Sequence, residues 1–251
     1  MKNSFGSQAK AWELEGFINS CLEANREIYQ LFLYCDDSFK NKVSQGFGGD
    51  VSIKADLEAE KIFIKYLSKY GQIFSEESGY VGEGEFKIVI DPLDGSDNFK
   101  SNFPYYGTSV SLKKDDKVLA GIITNLSNSD VFIKTSDYFK KGKLFSKSCH
   151  DVVENSFSTI GIFERAYANK PLANKLKDSG IKFRISGAVA LSLAYAREVD
   201  FVLFYGTLRE FDISAGFFMC EGLYSFHNKD TYLFSKDKQI FDKIKSLIML
   251  T

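Results

Sequence analysis

Asp91-Pro92-Leu93-Asp94-Gly95-Ser96-Asp97-Asn98-Phe99, directly after the run Phe86-Lys87-Ile88-Val89-Ile90, is the stretch on which the reading of this chain turns. The run is dense in β-branched and aromatic residues and predicts a strand cut off at Asp91-Pro92, because proline has no N–H for a ladder. Beyond it Pro92 fixes φ and Asp94-Gly95 turns the chain, so two carboxylates and a freed backbone carbonyl arrive in one small volume. Upstream stands Glu76-Glu77 in FSEESG, and downstream Asp212 opens the predicted helix ISAGFFMCEG. Singly, each has an ordinary explanation: Asp-Pro and Asp-Gly form turns, adjacent glutamates are solvated, and Asp caps helices. Together they point elsewhere, because the acids stand where apolar elements end. Two carboxylates about 4 Å apart repel by about 4 kcal/mol at an effective dielectric near 20, so three or four require cations. With oxygen donors alone, the choice falls on Mg²⁺ or Mn²⁺ rather than zinc.

Working outward, Leu14, Phe17, Ile18, Cys21, Leu22, Ile28 and Leu31 recur at helical spacing and predict a long helix from Ala9 to about Leu33. The Gly-rich, charged stretch Asp36 to Asp50 reads as a loop, and Asp56 as the N-cap of a second helix. Its string Gly46-Phe47-Gly48-Gly49 is a weak nucleotide signal, with neither a strand before it nor a helix after it. Tyr105 to Leu112 and Val118 to Thr124 flank the turn KKDDK as an antiparallel hairpin, extended by VFIK at 131–134. After Phe157 strands and helices alternate: STIGI, a helix near 164–178, IKFRI, a helix near 187–197, FVLFY, a helix near 213–221, two short strands and a last helix from Lys236. The expectation is one unit, 1–251, with an N-terminal α+β half (about 1–150), a C-terminal α/β half (about 151–251) and the active site between them.

Composition narrows the function. The 251 residues carry 32 Lys and Arg against 33 Asp and Glu, a formal charge of -1, with no basic block for a phosphate backbone, so nucleic acid is not expected as main partner. No apolar stretch approaches the roughly 20 residues that span a bilayer, and MKNSFGSQAKAWELEGF lacks an apolar signal core, so the expected location is the cytoplasm. Cys21, Cys35, Cys149 and Cys220 share no C-x-x-C spacing and read as buried thiols. Two histidines, His150 and His227, stand far apart, which removes histidine relays and His-rich metal sites. The chemistry left runs on carboxylates, hydroxyls, backbone groups and a hard metal.

Along its whole length the chain resembles the inositol monophosphatase family, a branch of the lithium-sensitive, metal-dependent phosphatase superfamily that includes fructose-1,6-bisphosphatases. The resemblance rests on GDVSIKAD (49–56), SEESG (75–79), DPLDGSDNF (91–99) with SNFPYYGTSVSL after it, ISGAVALSLA (185–194) and EFDISAG (210–216), all in the family's order. It implies a layered α-β-α-β-α sandwich, and phosphomonoester hydrolysis by direct attack of a metal-activated water with two or three Mg²⁺ ions, Mn²⁺ also serving. By the same resemblance Glu76, Asp91, the Leu93 carbonyl, Asp94 and Asp212 are metal ligands, and Asp50 ligates or orients water for a weaker ion. Ser96, where most of the family has Thr, would orient the attacking water, and the Gly95 and Ser96 amides would cradle phosphate. Gly187 and Ala188 would contact the substrate, and family members are commonly homodimers.

Two departures bear on the substrate, a small sugar or inositol phosphate. Inositol-specific members carry an acid about seven positions before the helix-opening Asp, and a Trp just before it. Tyr205 and Phe211 stand in those places. YGTLREFDISAG looks closer to archaeal members that accept fructose 1,6-bisphosphate, and Arg184 and Arg209 could meet a second anionic group as planar forks. A 3′-phosphoadenosine 5′-phosphate phosphatase of the same superfamily is the alternative, although Asp97-Asn98-Phe99 replaces its usual Lys-Glu-Phe. A catalytically silent binding protein on this fold is another, although every ligand carboxylate is present. A haloacid-dehalogenase-type phosphatase is disfavoured, because Asp91 and Asp94 are separated by two residues rather than one.

Overall fold

The computed structural model describes residues 4–250, with side chains from residue 13 onward. The chain runs α1 (Ser4–Tyr34), β1 (Lys42–Gln45), β2 (Val51–Ile53), α2 (Lys54–Leu67), β3 (Gln72–Ser75), β4 (Gly79–Val81), β5 (Lys87–Asp94), α3 (Ser96–Lys100), β6 (Gly107–Lys114), β7 (Lys117–Asn125), β8 (Asp130–Thr135), β9 (Phe139–Lys143) and β10 (Cys149–Asp151). It continues with β11 (Gly161–Glu164), α4 (Lys170–Asp178), β12 (Phe183–Arg184), α5 (Val189–Ala194), β13 (Phe201–Tyr205), α6 (Glu210–Cys220), β14 (Tyr224–His227), β15 (Thr231–Ser235) and α7 (Lys238–Met249). Eight strands form one sheet in the order β10-β9-β8-β7-β6-β5-β3-β4, and five form another in the order β12-β11-β13-β15-β14.

Side-chain alternation stacks these elements into five layers. On the large sheet Ile88, Ile90, Val110 and Ile122 meet α1 and α2 through Phe17, Ile28, Ile62 and Phe63, whereas Ile123 and Phe132 turn to the other face and meet α5 and α6 through Leu191, Ala215 and Met219. On the small sheet Val202 faces the same two helices, and its neighbours Phe201 and Leu203 face α4 and α7. The expected α-β-α-β-α sandwich is the observed architecture, and α5 and α6 are its shared middle layer. Among the described residues no helix is long and apolar enough to cross a membrane.

Several local expectations are corrected. The stretch after Asp36 is not all loop: β1 and β2 pair as an antiparallel hairpin, which gave no period-two signal because all four β1 side chains are exposed. Asp56 is not the N-cap of α2 but stands in its first turn and accepts the Ile53 N–H at 2.6 Å. β5 does not stop at Asp91 but continues to Asp94, β3 pairs with it in parallel, and α6 starts at Glu210. Cys149 is exposed on the edge strand β10, not buried. The reading of the first residues as free of a signal core lies outside the described residues for Met1, Lys2 and Asn3.

Candidate active site

A β-bulge at Pro92 and Leu93 builds the centre of the site. Asp91 pairs with Ser109 and Asp94 with Gly107, so β5 spends one residue more than β6 over the same length. In a regular strand, residues three apart point to opposite faces. The extra residue cancels that inversion and turns Asp91 and Asp94 into the same region, and the broken ladder accommodates a proline inside the sheet. The Leu93 N–H donates to Asp91 Oδ1 at 3.0 Å, and the Leu93 side chain is buried beside Ile53, Ala55 and Phe99.

Three carboxylates converge there. Ligand oxygens of Glu76, after β3, Asp91, on β5, and Asp212, in the first turn of α6, lie within 4.8 Å of one another. Burial pushes Glu76 up to about 7, opposed by Arg209 and reinforced by Asp212, Glu77 and Asp50. Burial also raises Asp91 well above the usual carboxylate range, with Glu76, Asp94 and Asp212 adding to it. Asp94 is pushed up to about 8 by burial, although it accepts the Leu191 and Val189 N–H groups, each at 2.9 Å. Both Asp94 oxygens thus face the start of α5, and Asp94 is not among the three that converge.

Asp50 is exposed at the end of the β1–β2 loop and joins the cluster through Arg209. That guanidinium, expected to meet a substrate anion, reaches Glu76 at 2.7 Å, Asp50 at 2.8 Å, Asp212 at 3.0 Å and the Gly48 carbonyl at 3.1 Å. Arg184 is exposed and donates to the Phe183 carbonyl. Tyr205 is half-buried at the end of β13, and Phe211 is packed against Phe74 and Val89.

Gly95 and Ser96 open the short helix α3. Gly95 has φ +87°, and a Cβ there would lie 3.0 Å from the Tyr105 carbonyl oxygen and 3.1 Å from Ala188 Cβ, so the turn around Gly187 and Ala188 closes directly over it. Sequence reasoning missed what holds that turn. The Asn98 amide donates to the Tyr105 and Ser186 carbonyls, and buried Glu164, at the end of β11, accepts the Gly187 N–H at 2.8 Å and the Ser192 hydroxyl at 2.5 Å. An acid closing a strand at the mouth of a parallel sheet was the available signal.

This donor set fits a hard cation. All donors are oxygens, their spread matches a cation with ligand distances of about 2.0–2.6 Å, and the raised carboxyl pKa values mark a site in want of positive charge.

The chain is similar to several known proteins. A model of the inositol monophosphatase family matches residues 23–223. Over 210 residues the chain is 27% identical to the fructose-1,6-bisphosphatase/inositol-1-monophosphatase of Methanocaldococcus jannaschii, covering 81% of this chain and 80% of that one. It is also 27% identical to the bifunctional NADP phosphatase/NAD kinase of Methanococcus maripaludis, covering 70% of this chain but 36% of that larger protein. The solved structure of the extragenic suppressor protein suhB from Bartonella henselae superposes with a TM-score of 0.75 at 20% identity, covering 93% of this chain and 97% of that one.

Proposed function

The chain belongs to the inositol monophosphatase family, and from that premise we propose that it is a divalent-metal-dependent phosphomonoester hydrolase acting on a small sugar or inositol phosphate. The observation that carries this reading is the approach of Glu76, Asp91 and Asp212 to within 4.8 Å, beside the Gly95-Ser96 turn. When bound, Mg²⁺ or Mn²⁺ would lower the pKa of an attacking water and neutralise the departing alkoxide. Glu76, Asp91, Asp212 and the Leu93 carbonyl would hold such ions, with Asp94 anchoring the near side of α5. Ser96 orients the attacking water through its hydroxyl, and the Gly95 and Ser96 amides receive phosphate oxygens. Gly187 and Ala188, whose small side chains leave space, border the leaving alcohol.

Substrate choice is broad in this reading. Tyr205 replaces an acid that would accept bonds from ring hydroxyls, and a pocket with fewer polar partners discriminates weakly among alcohols. Arg184, exposed at the end of β12, is the basic group left for a second anion. The test is phosphate release from inositol 1-phosphate, fructose 1,6-bisphosphate and other phosphomonoesters in Mg²⁺ and in EDTA. Activity that needs the metal and spreads over several substrates is expected. Full activity in EDTA would refute the metal dependence, and activity confined to inositol 1-phosphate would refute the breadth.

A further inference from the structure

We propose that Arg209 is a resident cation of this centre, with which an incoming divalent ion has to compete. The inference rests on the metal-dependent reading above. The guanidinium lies on the carboxylates an ion would use: Nη1 is 2.7 Å from Glu76 Oε1 and 2.8 Å from Asp50 Oδ2, while Nη2 and Nε meet Asp212 Oδ1 and Oδ2 at 3.0 and 3.1 Å. Two of these three residues, Glu76 and Asp212, belong to the converging trio. Among the described residues no other lysine or arginine pairs with Asp50, Glu76, Asp91, Asp94 or Asp212.

The surroundings are fitted to that position. Arg209 immediately precedes α6, and its own N–H donates to Asp212 Oδ2 at 2.9 Å. The next residue, Glu210, is tied to Lys87 and Lys113 at 2.6 Å each, which pins the start of the helix. From the other side Gly48 closes over the pair: a Cβ there would lie 2.8 Å from Glu76 Cγ and 2.9 Å from Arg209 Nη1, so glycine is what lets the loop approach.

A guanidinium cannot be relieved of its charge by losing a proton, so a divalent ion arriving beside it meets repulsion at any ordinary pH. The competition ends when the side chain moves or when each carboxylate is shared. In both cases the fixed positive charge lowers affinity for the ion. A residue that merely held the carboxylates in position would act in the opposite sense, because removing it would weaken metal binding.

Calorimetric titration of metal-free protein with Mn²⁺ separates the two. Arg209→Gln should bind Mn²⁺ at least roughly 10-fold more tightly than the unaltered protein. Arg209→Lys, which keeps the charge but cannot span three carboxylates, should fall between them. In EDTA Arg209→Gln should melt at a lower temperature, and saturating Mn²⁺ should close that gap. If the variant does not fold without metal, chelator competition started from Mn²⁺-loaded protein reads the same affinity: it should surrender the ion at higher chelator concentration. Equal or weaker Mn²⁺ binding by folded Arg209→Gln would overturn the proposal, whereas unaltered protein that binds no Mn²⁺ would overturn the metal-dependent reading beneath it.

Discussion

Asp94 and Glu164, on different sheets, grip the same turn from opposite sides: Asp94 accepts the Val189 and Leu191 N–H groups at 2.9 Å, and Glu164 accepts the Gly187 N–H at 2.8 Å and the Ser192 hydroxyl at 2.5 Å. The start of α5 is therefore a rigid link between the bulge in β5 and the end of β11. Both carboxyls are raised by burial, so the link consists of polar groups that find no substitute partner in the interior.

Glu164→Ala should strand the Gly187 amide and the Ser192 hydroxyl. Each unsatisfied buried group costs about 1–3 kcal/mol, so a fall in melting temperature of at least about 4 °C is expected. If the freed turn borders the substrate, KM should rise by a larger factor than kcat falls. A variant with unchanged melting temperature and KM would show that the turn holds its shape without Glu164.

Gly95→Ala places a Cβ at φ +87°, 3.0 Å from the Tyr105 carbonyl oxygen. Left-handed backbone costs a non-glycine residue roughly 1–2 kcal/mol, and the contact adds to it by moving the turn on which phosphate would sit. A loss of at least roughly 10-fold in kcat/KM is expected, with a smaller change in melting temperature, as the displacement falls on the binding turn. Wild-type kinetics would place the phosphate elsewhere.

The parts legible in the sequence were those with a local signature. FVLFY coincides with β13 because its side chains alternate between two helix layers, and DPLDGS announced an acidic corner through its turn formers. The β1–β2 hairpin was illegible because a strand with four exposed side chains carries no apolar period. Arg209 and Glu164 were misread or missed for a different reason. Distant partners of the first lie 133 positions away at Glu76, 159 at Asp50 and 161 at Gly48, those of the second 23 and 28 positions away at Gly187 and Ser192, and no window of sequence joins such residues.

Asp91→Asn tests whether the cluster is held at a cost. The neutral amide keeps an oxygen to accept the Leu93 N–H, now at 3.0 Å from Asp91 Oδ1, and removes one of the crowded charges. Metal-free variant should melt at least about 2 °C above the unaltered protein at pH 8, while turnover in Mg²⁺ falls at least roughly 10²-fold. A lower melting temperature in EDTA would mean that Asp91 is already compensated by the fold.

The stability of the metal-free protein should fall as pH rises, and the direction follows from three buried acids. Burial raises Asp56 to about 8, Glu76 to about 7 and Asp94 to about 8, whereas in the unfolded chain such groups titrate near about 4. Raised folded values mean that the native state holds protons the unfolded state has lost. Their contribution is complete below about pH 4 and disappears as pH climbs through about 7 to 8. In EDTA the melting temperature at pH 5.5 should therefore exceed that at pH 8.5 by at least about 4 °C, after allowance for carboxylates that share one field and do not add. Saturating Mg²⁺ binds the charged form of Glu76 within the converging trio, so it should raise the melting temperature more at pH 8.5 than at pH 5.5 and shrink the difference. Asp56 accepts the Ile53 N–H and is not one of the converging trio, although Glu76 adds to its rise, so Asp56→Asn should reduce the EDTA slope while changing the response to Mg²⁺ less than Glu76→Gln does. A melting temperature in EDTA that is flat, or higher at pH 8.5, would show that water or Arg209 already satisfies these charges.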